Sequence, residues 1–220
     1  YLKIAEGCDK RCSYCIIPKI RGRFRSVPMQ ELLNEAKRLA SEGVKELVLV
    51  AQETTLYGKD LTGEKQLPLL LHELCKIEGI EWIRLLYCYP EEITDELIKV
   101  IKTEEKVCNY IDMPIQHSEN RILQRMGRRT SREDLVAVIK KLRKEIPDIT
   151  IRTTLITGFP GESQEDHEGL MNFVEECQFD RLGVFTYSPE EDTLAATFED
   201  QIDEEVKEER RDELMSLQQE

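Results

Sequence analysis

Apolar positions along the chain fall into two alternating kinds of segment. Short, nearly continuous apolar runs occupy Tyr1–Ala5, Glu46–Ala51, Trp82–Cys88, Tyr110–Met113, Ile149–Ile156 and Arg181–Tyr187. Runs of this length predict strands covered on both faces, as in a parallel sheet. Between them, apolar residues recur at three- and four-residue spacing. Met29, Leu32, Leu33, Ala36, Leu39 and Ala40 make one helical face between Pro28 and Gly43, since proline suits a helix start and glycine its end. Leu135, Val138, Ile139 and Leu142 make a second after Ser131–Asp134, and Leu170, Phe173, Val174 and Cys177 a third after Ser163–Asp166. Both preceding pairs have capping-box spacing. Weaker helical patterns fall at Leu67–Lys76, Thr94–Thr103 and Asn120–Met126.

Six such β-then-α units imply an α/β domain, with a parallel sheet and right-handed crossovers. A complete eight-unit barrel takes about 250 residues. Six units in 220 residues predict an open (β/α)6 partial TIM-type barrel, strands inside and helices outside, with active residues at the carboxyl ends of the strands. The segment Gln201–Glu220 reads as a charged helix with little apolar face, expected to lead towards another domain. The chain opens on Tyr1 rather than Met, and residues 1–220 are expected to be the central domain of a longer protein.

Charge changes the picture next. The formal net charge is −13, which repels nucleic-acid phosphates and disfavours direct nucleic-acid binding. It suits a basic protein partner, or serves only as a solubilising surface. Lys19, Arg21, Arg23 and Arg25 form one local basic stretch. No apolar run approaches the roughly 18 residues of a membrane span, and no signal-peptide pattern opens the chain. The seven cysteines are an odd number, which argues for a reducing compartment such as the cytoplasm. Cys75, Cys88, Cys108 and Cys177 sit in or beside apolar stretches and read as small buried hydrophobes.

Cys8, Cys12 and Cys15 differ. They lie at C-x3-C-x2-C spacing after the first strand, with Asp9, Lys10 and Arg11 making the loop polar. Fe–S clusters normally take four cysteines. Three thiolates therefore leave one iron of a [4Fe–4S] cube for an outside chelator. Zinc is the alternative, with four ligands in a structural site or three plus water in a catalytic one, and His117 could fold near the loop. Tyr14, beside the last cysteine, either packs on a ligand or tucks under the loop. Arg152, Thr154 and Ile156 share one strand face. A strand arginine facing an interior needs an anion, from a ligand carboxylate or a structural acid. Gly158 and Gly161, in the turn that follows, permit close backbone approach. Gln52, Gln116 and Tyr187 stand in polar clusters at strand ends.

The strings EGCDKRCSYCIIPKIRG, MPIQHSENRILQRMGR, ITGFPGES and FTYSPEEDTLAA resemble the methylthiotransferase branch of the radical S-adenosylmethionine (SAM) enzymes, over essentially the whole chain. The resemblance implies a [4Fe–4S] cluster on Cys8, Cys12 and Cys15, with the amino and carboxylate groups of SAM on the open iron. The reduced cluster would cleave SAM, and the resulting 5′-deoxyadenosyl radical would take hydrogen from a C–H bond. Tyr14, Gln52, Gln116, Arg152, Gly158 and Tyr187 become candidate SAM-binding residues. The resembled enzymes convert C–H to C–SCH3, with a second cluster in an N-terminal domain and a C-terminal β-barrel domain that binds substrate. One sub-branch modifies adenosine in tRNA; the other modifies the β-carbon of an aspartate in a small-subunit ribosomal protein. The tRNA branch shows GQN- and QSGS-type strings after strands two and four, where this chain reads AQETT and IQHSE. The ribosomal branch is expected, with a basic ribosomal protein as substrate and a reducing electron-donor protein as partner. A bare electron-transfer module is the non-enzymatic alternative.

Overall fold

A computed structural model describes residues 1–219. Its centre is a six-stranded parallel sheet of β1 (Leu2–Lys3), β4 (Glu46–Val50), β5 (Trp82–Leu85), β6 (Val107–Asp112), β7 (Thr150–Thr157) and β8 (Arg181–Thr186), neighbours in that order. Every neighbour in the sheet is also the next of these strands in the chain, so the sheet winds one way, as a partial barrel does. The connecting helices are α2 (Met29–Ser41), α4 (Leu67–Cys75), α5 (Asp95–Thr103), α6 (Asn120–Arg125), α7 (Arg132–Glu145) and α8 (Gln164–Cys177). Ser131 and Ser163 make the capping boxes expected of α7 and α8.

One continuous core joins the sheet to these helices, with Leu47, Leu49, Ile83, Leu85, Ile111, Ile151 and Leu155 meeting Leu70, Leu74, Ile98, Ile139 and Phe173. Along β7 the residues alternate strictly: Ile151, Thr153, Leu155 and Thr157 are buried, and Thr150, Arg152, Thr154 and Ile156 half-exposed. The second set faces the concave side of the sheet, as the pattern predicted.

The structure corrects several boundaries. The expected first strand is interrupted at Ile4, whose N–H reaches Val50 while its carbonyl accepts from Val27. The chain thereby leaves the main sheet and pairs β2 (Ala5–Glu6) antiparallel to β3 (Arg25–Ser26). The third expected strand stops at Leu85, and Tyr87 then turns at positive φ. Two short helices, α1 (Ile17–Arg21) and α3 (Lys59–Thr62), carried no periodic signal. The last helix, α9 (Glu204–Gln219), does not stand apart: it buries Lys207, Arg210 and Leu214 against β8 and α8. Cys88 and Cys177 are buried as expected, whereas Cys75 and Cys108 are half-buried.

Candidate metal centre

The carboxyl ends of the strands are stitched together by backbone hydrogen bonds: Thr54 N to Tyr87 O, Cys88 N to Asp112 O, Gln116 N to Thr154 O, Ile156 N to Gln116 O and Tyr187 N to Thr157 O. The cysteine loop lies over this end. Gly7 opens it at φ +82°, a left-handed conformation suited to glycine, and a β-carbon there would overlap the carbonyl of Arg23. Gln52, at the end of β4, accepts from Gly7 N at 2.8 Å. Cys8 N donates to Gly22 O, Ser13 N to Met126 O, and Ser13 Oγ to Arg125 O at 2.8 Å.

Lys10 anchors the middle of the loop. Its Nζ meets Glu91 at 2.9 Å, Glu92 at 2.8 Å and buried Glu53 at 3.9 Å, and lies over the ring of Tyr89. The Arg128 guanidinium also stacks on Tyr89, whose hydroxyl is 4.0 Å from Cys12 Sγ. The loop is thus fixed by its backbone and by Lys10, and none of its three cysteines is in a disulfide.

Burial pushes the Cys8 thiol up to about 11, against a weaker opposing pull from a backbone hydrogen bond, and raises Cys15 as well. A buried thiol becomes a thiolate readily only beside positive charge or a metal. Iron supplies that charge, so the donor set fits a cluster. Zinc fits less well. His117 is fully buried against Glu162, His72 pairs with Glu104 and His167 with Glu213, so no histidine joins the loop. Among the described residues, no three His, Cys, Asp or Glu side chains are grouped to hold a single ion. A cubane asks for something else, one thiolate at each of three corners.

Beside the loop is a cavity of about 340 Å³, lined by Tyr14, Cys15, Gln116, Thr154, Phe185 and Tyr187 among others. Gln116 is held there at φ +73°. The Tyr187 hydroxyl is buried without a hydrogen-bond partner. Tyr14 meets Phe159 edge-to-face, and Phe159 in turn meets Tyr187. Of the residues singled out in the sequence, Tyr14, Cys15, Gln116 and Tyr187 therefore share one cavity.

Three others do not face it. Gln52 is occupied by Gly7. Gly158, at φ +67°, makes room for the side chain of Lys207, which a β-carbon would strike. Arg152 pairs with Asp112 at 3.2 Å and lines a second cavity. The turn after β7 is held by Glu162, fully buried and 2.8 Å from Arg210 of α9 and 3.4 Å from His117. Burial alone would raise the Glu162 carboxyl, but hydrogen bonding and charge from His117, with Arg210, hold it below the ordinary value. Periodicity could not reveal these partners of the turn, because Lys207 and Arg210 look like surface residues of a charged helix. Lys10 was visible only as a polar residue between ligands.

The family model described as the radical SAM superfamily matches residues 2–174. Over its whole length the chain is 66% identical to the ribosomal protein uS12 methylthiotransferase RimO of Lachnoclostridium phytofermentans, covering 50% of that protein. It is 61% identical to the protein of the same name from Clostridium perfringens, covering 49%. The chain spans about half the length of the curated relatives it matches. Among solved structures, coproporphyrinogen III oxidase (HemN) from Escherichia coli, described as a radical SAM enzyme, superposes with a TM-score of 0.69 at 19% identity, over 97% of this chain and 49% of that one. At that identity the likeness speaks for the fold alone.

Proposed function

The chain belongs to the radical SAM superfamily, and from that premise we propose that it is the catalytic core of a methylthiotransferase acting on the β-carbon of an aspartate in a small-subunit ribosomal protein. One observation carries the reading: three cysteines, none in a disulfide, on one anchored loop, at the carboxyl end of an open parallel sheet and beside a cavity lined by Tyr14, Gln116 and Tyr187. The names of the relatives support the substrate.

In this reading Cys8, Cys12 and Cys15 hold a [4Fe–4S] cluster, and Tyr14, Gln116 and Tyr187 line the place for SAM. When bound, the cluster would supply the one-electron reduction of SAM from which radical chemistry at a substrate C–H bond would begin. The chain's own residues do the positioning. Gln52 and Lys10 fix the loop, the aromatic group of Tyr14, Phe159 and Tyr187 excludes water, and Gln116 presents its side chain where the sixth-strand and seventh-strand ends meet. Arg152 reaches SAM only if the methionyl carboxylate extends one strand step below the cavity. The second cluster and the substrate-binding β-barrel of the resembled enzymes belong to flanking domains, and an electron-donor protein supplies the reducing equivalents. A ribosomal substrate and reduced thiols both call for the cytoplasm. Among the described residues no helix is long and apolar enough to cross a membrane.

The test uses the full-length protein and a ribosomal protein deuterated at the aspartate β-carbon. The expected result is a methylthio group on that carbon and one deuterium in 5′-deoxyadenosine, both read by mass spectrometry. Residues 1–220 alone should cleave SAM without transferring sulfur, because they contain no second cysteine triad. Modified adenosine in tRNA, with the ribosomal protein unchanged, would move the enzyme to the other sub-branch.

A further inference from the structure

The concave face of the sheet carries a second cavity, of about 450 Å³, lined by Arg84, Tyr110, Arg152, Arg181, Leu182 and Gly183. Three arginines in one recess are unexpected in a chain of net charge −13. Register makes the arrangement sharper. Asp112 pairs across the sheet with Arg152, and Arg152 with Arg181, so two guanidinium-bearing residues lie directly opposite on neighbouring strands. Like charges in that relation repel. Two carboxylates offset part of the charge: Glu46 accepts from Arg84 Nε at 2.6 Å, and Asp112 meets Arg152 at 3.2 Å. Arg181 has only the neighbouring carbonyl of Asp180, at 3.4 Å, and pairs with no carboxylate among the described residues. Of the three arginines, only Arg181, which is exposed at the recess, has no carboxylate partner among the described residues.

The recess lies next to the cavity beside Cys15 along the strands. Arg152 lines one and Thr154 the other, and residues two apart on a strand face stand about 7 Å from each other. Opposite Thr154 on β8 is Gly183. No left-handed backbone requires this glycine, and a β-carbon there would meet nothing closer than 3.9 Å. Glycine inside a strand weakens it, and often marks a place where a ligand or another backbone approaches closely. Here Gly183 places no side chain between the two cavities.

We propose that Arg84, Arg152 and Arg181 form a carboxylate subsite one strand step below the cluster-side cavity, and that it takes the acidic side chain of the polypeptide substrate. The assignment rests on the proposed ribosomal-protein substrate, whose reacting residue is an aspartate. A guanidinium fork suits a carboxylate, and fixing that carboxylate leaves the adjacent carbon facing the radical source above it. The amino-acid end of SAM offers the same chemistry, so the experiment separates the two.

The full-length, cluster-loaded enzyme is titrated with a peptide spanning the reacting aspartate and with the same peptide carrying asparagine, by calorimetry and without turnover. SAM affinity is measured alongside. The aspartate peptide should bind about tenfold or more tightly than the asparagine peptide. Arg181→Gln should remove that preference, Arg181→Lys should keep part of it, and Gly183→Leu should weaken the peptide by placing a side chain between the two cavities. SAM affinity should stay within about twofold throughout, well under the tenfold scale of a lost charge contact. Equal affinity for the two peptides, or a preference that survives Arg181→Gln, overturns the subsite. Parallel loss of SAM binding in Arg181→Gln and Arg152→Gln gives the carboxylate to SAM and overturns the substrate assignment. Peptide preference without methylthio transfer would instead fault the proposed reaction and leave the subsite standing.

Discussion

Two glutamates are fully buried at the same end of the sheet, and they titrate in opposite directions. Glu53, beside the cysteine loop, is pushed up to about 7 by burial, which outweighs its hydrogen bond with Thr55 and the pull of Lys10 at 3.9 Å. One of its oxygens has no hydrogen-bond partner. Glu162, under the glycine turn, is held down by His117 and Arg210 despite equal burial. The Glu162 carboxylate is thus compensated chiefly by Arg210, brought in by α9. The loop side carries three cysteines outside any disulfide and an under-compensated acid, Glu53. A rigid wall on one side and unfilled donors on the other make a receptor: preorganised geometry where nothing is to change, spare bonding capacity where a cofactor is to bind.

The comparison breaks most completely at the thiols. Cys12→Ala should abolish cluster assembly, read as iron and sulfide content after anaerobic reconstitution and as loss of the SAM-dependent spectral change. Cys177→Ala, buried in the helical layer, should leave both intact. Full iron content and SAM cleavage in the Cys12 variant would remove the loop from the site.

On the completed side, the largest effect should come from Arg210→Met. Removing one partner of a buried ion pair costs about 3–5 kcal/mol, which for a domain of this size corresponds to roughly 6–20 °C in Tm. Thermal unfolding of the metal-free chain measures it. A fall of less than about 2 °C, the effect of under 1 kcal/mol, would show that α9 covers the turn without holding it. Glu162→Gln should lose less, because the amide oxygen can still accept from Arg210, which also keeps the backbone carbonyl of Glu162.

Glu53 sharpens the contrast through pH. The unfolded chain gives up this proton near the ordinary value of 4.5, the folded chain near 7. Between those values the folded state binds more protons, so stability falls as pH rises and levels off above 7, a loss on the order of 3 kcal/mol. Asp112, also raised by burial, contributes with the same sign. Glu53→Gln should therefore flatten the stability profile between pH 5 and 7 and leave the metal-free variant the more stable protein at pH 8. Identical slopes for parent and variant would mean that Lys10 compensates Glu53 fully.

The two regions were also unequally legible in the sequence. The strand–helix alternation gave the parallel sheet, because each strand is buried on its helix-facing side by its own residues. The thiol triad was legible because its spacing is local. Its supports were not: Lys10 meets Glu91 and Glu92 from a turn some eighty residues away, and no periodicity encodes that contact. Arg210 and Lys207 were hidden in a helix whose charge suggested solvent, since a buried cation is visible only once its acid is in place. Arg84 was the signal left unread. An arginine inside the apolar run WIRLLY already marks a strand face that is not core.

The smallest effect tests whether the turn depends on α9 or on its own helix start. Ser163 follows Glu162 directly and caps α8: its Oγ accepts from Asp166 N at 3.2 Å, and Asp166 accepts from Ser163 N at 2.7 Å. Ser163→Ala removes the first bond and leaves the second, so the loss should be about 1 kcal/mol, or roughly 2–4 °C in Tm. Because Arg210 donates to both the carbonyl and the carboxylate of Glu162, the turn should keep its shape without the serine. Iron content and SAM affinity should then match the parent. If Ser163→Ala weakens SAM as much as Arg210→Met does, the helix cap sets the wall of the cavity, and α9 serves only to shield it from water.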